Sequence, residues 1–397
     1  MFPFALSASP LSLYLHIPFC TTKCTYCAFN TYTQLENLIP AFVDALVHEI
    51  EILARGTETK QTVGTIFVGG GTPTLLTPAQ FERILNTIQT RFEVAPDAEI
   101  TIEANPNDLD LTYLQALRSV GINRLSIGMQ SSNAHELKLF ARRHDYTVVQ
   151  RVMPLVREAG FDNVNLDLIY GVPNQTLDTW RETLEASLAF EPEHLSLYAL
   201  GLEDGTPLKD WVETGSVPAP DDDLAADMYD LATELLADAG YEQYEISNWS
   251  KPGRACRHNL QYWHNLPYAG LGPGAHGFAG GVRYATILSP QRYVRAIESG
   301  WDAQQPYDFP HTPATVDAVT VDQNAEIAET LIMGLRLTQE GIQREAFTKR
   351  FGIDLLDLHG DVLRKYQSYD LIEFDAKRVR LTSKGRLLSN TIFRELV

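Results

Sequence analysis

The stretch YLHIPFCTTKCTYCAF, residues 14–29, holds three of the four cysteines of the chain. These cysteines directly follow a β-type run, Leu13–Ile17. Their C-x3-C-x2-C spacing lets three thiolates bind three irons of one [4Fe–4S] cluster, leaving the fourth iron open to another ligand. A zinc site or ordinary core cysteines are the alternatives, but structural zinc takes four ligands and the sequence has no second C-x2-C pair. The motif therefore favours an iron–sulfur cluster bound by Cys20, Cys24 and Cys27.

Five further β-type runs follow the motif, and helical patterns separate them. They are residues 65–68, 99–103, 124–129, 163–169 and 194–199. Several are continuous apolar runs, which are typical of parallel strands covered on both faces. Six βα units predict an α/β fold in which a parallel sheet curves into a partial (β/α)6 TIM-like barrel. A flat, doubly wound sheet is the alternative, because periodicity does not separate the two.

The C-terminal part has a different pattern. Residues 301–323 carry three prolines and few periodic apolar positions, so we interpret them as a linker. The linker would join a barrel with its extension, residues 1–300, to a small domain, residues 324–397. In that domain helical patterns precede two short β-type runs and a last helix, which predicts a winged-helix-like fold. Its final 57 residues carry 11 basic and 8 acidic residues, an excess too small and scattered to indicate DNA binding.

The composition limits where the protein acts. The 397 residues include 32 Lys and Arg against 51 Asp and Glu, a net charge of −19, which disfavours a general nucleic-acid binder. No apolar run reaches the roughly 18 residues of a membrane-spanning helix. Met1–Pro10 contains no Lys or Arg, unlike a signal peptide. We therefore expect a cytoplasmic protein without nucleic-acid partners, and peripheral contact with a membrane stays open.

Small and polar residues stand where the predicted strands end. The glycines 69–71 and Thr72 follow the second strand, Glu103 and Gln130 end the third and fourth, and Asp167 lies in the fifth. Consecutive glycines let the backbone approach a ligand closely, although they are equally typical of a turn. Residues at the carboxyl rim of a βα barrel commonly face a ligand. Each alone also fits a structural polar role.

Together these motifs resemble the radical SAM superfamily, and nearly the whole chain resembles its coproporphyrinogen-dehydrogenase-like branch. The resemblance implies a [4Fe–4S] cluster at the open top of the barrel, with S-adenosylmethionine (SAM) on the open iron. The positions that match SAM contacts in the family are Tyr14, Gly70, Gly71, Thr72, Glu103, Gln130, Arg142 and Asp167. A shift of one residue would exchange Arg142 for its neighbour Arg143.

Two features distinguish members of this branch. The oxygen-independent coproporphyrinogen III dehydrogenases have a further cysteine where this chain has Phe29, and a longer segment before the cluster than the 19 residues here. The segment His258-Asn259-Leu-Gln-Tyr262-Trp263 instead resembles the H-N-x-x-Y-W motif of the HemW-type heme chaperones. An imidazole nitrogen can bind heme iron and aromatic rings can pack on the macrocycle, so all four motif residues are heme candidates. A buried structural histidine is the alternative.

Two hypotheses about function follow from the resemblance. In the first, a heme chaperone binds heme, a [4Fe–4S] cluster and exchangeable SAM, and transfers heme to an acceptor protein that the sequence does not identify. In the second, a radical SAM enzyme, an oxygen-independent coproporphyrinogen III dehydrogenase, decarboxylates its porphyrinogen substrate. The first is our preferred interpretation, and whether the chain is an enzyme stays open. The resemblance also implies a homodimer with cofactor bound.

Overall fold

The computed structural model of the protein describes residues 9–303 and 306–396, so most of Met1–Pro10 lies outside the described residues. Six parallel strands in chain order form the centre of a twelve-stranded sheet. They are β1 (Leu11–Ile17), β2 (Thr62–Gly70), β3 (Glu93–Ala104), β4 (Arg124–Gln130), β5 (Val164–Tyr170) and β6 (His194–Ala199). All six predicted runs coincide with these strands. Nearly every residue of β1, β4 and β5 is buried, which explains their continuous apolar sequence.

Helices follow the central strands and cover the outside of the sheet. They are α1 (Ile39–Arg55), α2 (Pro78–Arg91), α3 (Leu111–Ser119), α4 (Ala134–Leu139), α5 (Tyr146–Glu158) and α6 (Leu177–Leu188). Three short 3₁₀ helices lie at Glu36–Leu38, Pro73–Leu75 and Pro106–Asp108. Local capping starts several helices: at α2, for example, Thr77 and Gln80 bond to each other's backbone amide.

Further strands extend both sides of the sheet in the order β12-β11-β10-β9-β1 and β6-β8-β7. They are β7 (Glu242–Glu245), β8 (Asn248–Ser250), β9 (Tyr268–Leu271), β10 (His276–Ala279), β11 (Val282–Thr286) and β12 (Thr315–Thr320). This region also contains α7 (Pro207–Glu213), α8 (Asp222–Asp238), α9 (Arg257–Trp263) and α10 (Pro290–Asp302). The edges formed by β12 and β7 leave the barrel open.

The sheet is curved rather than flat. Tyr14 of β1, Glu103 of β3 and Ser196 of β6 line one cavity, together with side chains from the strands between them. A flat sheet would hold β1 and β6 several strand spacings of about 4.8 Å apart. The partial-barrel prediction is confirmed, and the flat alternative is excluded.

The last part of the chain has its own core, which includes Leu331, Phe347, Val379 and Ile392. Its helices are α11 (Gln323–Gly334), α12 (Arg344–Phe351), α13 (Leu355–Ser368), α14 (Ser383–Leu387) and α15 (Ser389–Leu396). Three antiparallel strands pack among them, in the order β13 (Ile342–Gln343), β15 (Arg378–Leu381) and β14 (Ile372–Phe374). Helices with a short antiparallel wing match the winged-helix-like pattern expected from the sequence.

The segment 301–323 is more ordered than a linker. It contains the end of α10 and all of β12, which pairs antiparallel with β11. Five of the six β12 residues are exposed at the sheet edge, so the strand lacks the apolar alternation by which a sequence reveals a strand. The domain boundaries at 300 and 324 stay a prediction. Within residues 9–303 and 306–396 we find no helix with the length and apolar character to cross a membrane.

Candidate functional site

The three clustered cysteines lie on a loop that leaves the carboxyl end of β1. The loop is closed at its base, because the Cys20 amide donates to the Tyr32 carbonyl (2.9 Å) and the Tyr32 amide donates to the Pro18 carbonyl (2.7 Å). Within it the Cys27 amide donates to the Cys24 carbonyl (3.2 Å). Backbone bonds therefore hold all three thiols in one short, closed loop at the rim of the barrel.

Two side chains from other loops, one after β2 and one after α4, contact the cysteine sulfurs. The Thr72 hydroxyl donates to Cys20 Sγ, and Arg142 Nη1 donates to Cys24 Sγ, both at 3.5 Å. Such donors stabilise thiolate ligands of a cluster. Burial raises the pKa of the Cys20 and Cys27 thiols, so both keep their protons without metal, and iron binding has to displace them.

The donor set fits a cubane cluster. No three His, Cys, Asp or Glu side chains in the described residues are grouped to hold a single metal ion. A [4Fe–4S] cluster does not require such a group, because each thiolate binds a different iron.

Gly71 and Thr72, which directly follow β2, pack on this loop. The Gly71 amide donates to the Ile17 carbonyl (2.8 Å) and the Thr72 amide to the Phe19 carbonyl (2.7 Å). A Cβ on Gly71 would lie 2.5 Å from the Phe19 oxygen, so only glycine permits this approach. With these amides engaged, the carbonyl oxygens are the groups suited to accept bonds from an ammonium group such as the methionyl amine.

The structure separates the two neighbouring arginines. Arg142 is buried between the cluster loop and β4, and its Nη2 donates to the Gly128 carbonyl (2.8 Å). Its Nε has no partner among the described residues, so one donor is free for a ligand. Arg143 instead forms a salt bridge with Asp108 (3.0 Å). Gln130 ends β4 at φ 65° next to this site, and its side-chain amide approaches Gly128.

Glu103 and Asp167 are half-buried carboxyl groups below the rim. Glu103 Oε2 accepts the Gly70 amide (2.9 Å), and Asp167 accepts from the Ser126 hydroxyl (3.0 Å) and the Asn165 amide (2.8 Å). Burial, and secondarily the charge of Asp167, raise the pKa of Glu103 to about 7. Burial also raises the pKa of Asp167. Both groups therefore hold protons more tightly than ordinary carboxyl groups.

Tyr14 faces the same cavity and is oriented by a histidine that the sequence did not single out. Its hydroxyl bonds to His16 Nδ1 (2.9 Å), and His16 Nε2 bonds to the Asn30 carbonyl (3.0 Å). Because a carbonyl only accepts, His16 carries its proton on Nε2 and accepts from Tyr14. Burial lowers the pKa of His16, which keeps the ring neutral.

Sequence reasoning missed Glu99, which fixes the start of α9. Its carboxylate accepts the amides of Arg257 and His258, both at 3.1 Å, and the Cys256 thiol at 3.4 Å. Cys256 precedes the helix and makes no side-chain capping bond, so a carboxylate from β3 replaces the usual cap. Burial raises the pKa of Cys256 to about 12, consistent with an ordinary buried thiol. The available signal was a charged residue at the start of the predicted apolar run 99–103.

His258 does not present a free nitrogen to a metal in this conformation. Its Nδ1 bonds to Thr65 Oγ1 (2.7 Å) and its Nε2 bonds to the Tyr262 hydroxyl (2.8 Å). Thr65 donates its own proton to Ser12, so His258 donates from Nδ1 and accepts at Nε2. Burial lowers its pKa to about 3. His258 is a neutral core histidine whose lone pair is already engaged.

The four heme candidates do not share one surface. His258, Asn259 and Tyr262 line the barrel cavity, which has a volume of about 200 Å³. Trp263 lies beside Arg336 of the C-terminal part, whose guanidinium carbon is 5.7 Å from the ring centre. Helix geometry therefore directs Trp263 away from the other three residues, and heme binding at this motif stays a prediction.

The chain is similar to two protein families and to curated heme chaperones. The family model described as the radical SAM superfamily matches residues 14–186, and the HemN C-terminal domain matches residues 321–388. The curated "Heme chaperone HemW" of Mycobacterium tuberculosis is 36% identical over 99% of this chain and 96% of its own length. The protein of the same name from Lactococcus lactis is 32% identical over 98% and 97%.

The chain also resembles a solved structure. The coproporphyrinogen III oxidase HemN from Escherichia coli, a radical SAM enzyme, superimposes with a TM-score of 0.82 at 25% identity. The superposition covers 98% of this chain and 90% of HemN. The similarity includes the barrel, its extension and the C-terminal part, and it confirms the fold class.

Proposed function

Because the chain belongs to the HemW family of heme chaperones, within the radical SAM superfamily, we propose that it binds heme and transfers it to an acceptor protein. Near-full-length similarity to curated heme chaperones carries this proposal. The exposed side chain of Phe29 also supports it. Phe29 occupies the position where the dehydrogenases have a further cysteine and is 68% exposed at the rim. Action in the cytoplasm, a homodimeric state and the absence of nucleic-acid partners belong to the same proposal.

Within this function, the rim residues would hold the cluster and SAM. Cys20, Cys24 and Cys27 would be the iron ligands, with Thr72 and Arg142 donating to their sulfurs. A SAM-loaded cluster supplies one-electron chemistry when it is reduced. The protein itself positions the cluster, because Gly71 and Thr72 bond to the base of the cysteine loop and Arg142 connects the loop to β4.

The remaining SAM candidates would contact two parts of the ligand, its methionyl amine and its nucleoside. Gly70, Gly71 and Thr72 would offer carbonyl oxygens to the methionyl amine, and Gln130 lies beside Arg142 at the end of β4. Glu103, Asp167 and Tyr14 line the cavity below, where carboxylate and hydroxyl oxygens suit ribose hydroxyls. Both carboxyl groups are held by hydrogen bonds from neighbouring strands, so their orientation is set before a ligand binds.

The experiment that tests the function uses full-length protein with its cluster reconstituted anaerobically. We expect absorption titration to show near-stoichiometric heme binding, and incubation with an apo-hemoprotein to show heme transfer. Coproporphyrinogen III with SAM and a reductant should stay unconverted. Porphyrinogen turnover under these conditions would overturn the chaperone assignment and favour the dehydrogenase.

A matched pair of variants tests the heme ligand. Because both nitrogens of His258 are engaged, we expect His258→Ala to keep its heme affinity within about twofold. Tyr262→Phe removes the hydroxyl that occupies Nε2 and changes little else. If His258 were the iron ligand, Tyr262→Phe would strengthen heme binding and His258→Ala would abolish it. Loss of the heme spectrum in folded His258→Ala would contradict the geometry described above.

A further inference from the structure

The barrel interior contains a cation that no protein group neutralises directly. Arg124 is the first residue of β4, is only 2% exposed and lines the cavity of about 200 Å³. Among the described residues its Nε has no hydrogen-bond partner, and no hydrogen bond or ion pair is found for its other two nitrogens. A buried guanidinium has five donors and loses its hydration on burial, so leaving it unpaired is costly.

The nearby acidic groups are committed elsewhere. Glu99 and Asp167 influence Arg124 electrostatically, but neither bonds to it. Glu99 accepts the amides at the start of α9, and Asp167 accepts from Ser126 and Asn165. Their charges favour keeping Arg124 protonated while its donors stay free.

This end of the cavity is remote from the cysteine loop. Arg124 begins β4 and Gln130 ends it, and six steps along a strand of about 3.3 Å each span about 20 Å. An arginine side chain is much shorter than that distance. A carboxylate of SAM bound at the open iron would therefore not reach Arg124, and this cation needs a ligand of its own.

We propose that the interior of the barrel binds a small carboxylate, whose anionic group pairs with Arg124 within the polar wall formed by Ser126, Asn165 and Ser196. Planar guanidinium and carboxylate groups match each other bidentately. The cavity of about 200 Å³ exceeds many times the roughly 10–15 Å³ that one buried water needs, so a short carboxylic acid fits. Asp167 lies on the same wall, so an amine or hydroxyl on the carboxylate has an acceptor. Carboxylate binding here does not require heme, although His258 and Tyr262 line the same cavity.

The test titrates the cluster-loaded, full-length protein with three probes of similar size, with and without SAM. Glycine and acetate carry the carboxylate, and ethanolamine lacks it. We expect calorimetry of the SAM-free protein to show binding of glycine and acetate and no binding of ethanolamine. Because Tyr14, Glu103 and Asp167 line the same cavity, SAM should weaken the carboxylate signal. Absence of carboxylate binding, or equal binding of ethanolamine, would overturn the proposal. Heme binding measured on the same sample keeps this outcome distinct from that of the chaperone assignment.

Two variants assign the effect to Arg124. Arg124→Gln keeps much of the side-chain volume and removes the charge, so carboxylate affinity should fall at least tenfold. Without added carboxylate this variant should melt no lower than wild type, because an unpaired buried charge has been removed. Arg91→Gln, which removes a guanidinium paired with Glu51 on the barrel exterior, should bind carboxylates like wild type. A large loss of stability in Arg124→Gln alone would show that Arg124 is a structural counter-ion, contrary to the proposal.

Discussion

Replacing Glu99 with alanine should release the start of α9, the helix that carries His258 and Tyr262. The substitution removes the acceptor of two backbone amides at 3.1 Å and of the Cys256 thiol at 3.4 Å. A buried amide without an acceptor costs about 1–3 kcal/mol. Arg257 is exposed and its amide can reach water, whereas His258 is buried. We therefore expect Glu99→Ala to lower the free energy of unfolding by about 2–4 kcal/mol.

The assay combines denaturant unfolding with hydrogen exchange monitored by mass spectrometry. Amide protection should fall in residues 256–263 of Glu99→Ala, while β5 and β6 stay protected. Glu99→Gln keeps one acceptor oxygen at the same place, so it should lose about half as much stability. Glu93→Ala provides the matched control, because Glu93 is an exposed residue at the start of the same strand. That control should change stability by less than about 0.5 kcal/mol.

Unchanged exchange in residues 256–263 of Glu99→Ala would refute this reasoning, since it would mean that another group caps α9. Equal destabilisation by Glu99→Ala and Glu93→Ala would refute it as well. In that case the loss would reflect the strand rather than the contacts with the helix.

Three further changes test the rim. Gly71→Ala, whose Cβ would lie 2.5 Å from the Phe19 oxygen, should at least halve the iron and sulfide retained after reconstitution. Gly201→Ala, whose Cβ would meet only the flexible end of the Glu203 side chain, should retain both. Glu103→Gln tests pH dependence. The folded protein favours the protonated form of the Glu103 carboxyl group. This form contributes its full stability below pH 4.5, and the contribution is lost as the pH rises to about 7. The stability of SAM-free wild type relative to Glu103→Gln should therefore fall by about 3 kcal/mol over that range, and a flat difference would contradict the assignment. Arg142→Lys should weaken SAM binding at least tenfold in equilibrium titrations, whereas Arg143→Lys should change it less than twofold. The reverse order would show that the two positions are exchanged.

Local features of this protein were readable in its sequence. The three cysteines lie within eight positions, so their cooperation needs no knowledge of the rest of the chain. The central strands were predictable because strands buried on both faces are apolar throughout. The exposed strand β12 was not predictable, because half-solvated edge residues leave no hydrophobic pattern.

Only the tertiary structure decided what the polar residues of the barrel do. His258 is engaged by Thr65, 193 positions away, and Glu99 caps a helix that begins 158 positions later. Arg124 has no hydrogen-bonded partner among the described residues because Asp167 bonds to Ser126 and Glu99 bonds to the start of α9. The sequence by itself determined which residues could bind iron and how the strands alternate with helices. Which buried nitrogen is engaged and which stays free depends on contacts between distant segments, and folding alone brings those segments together.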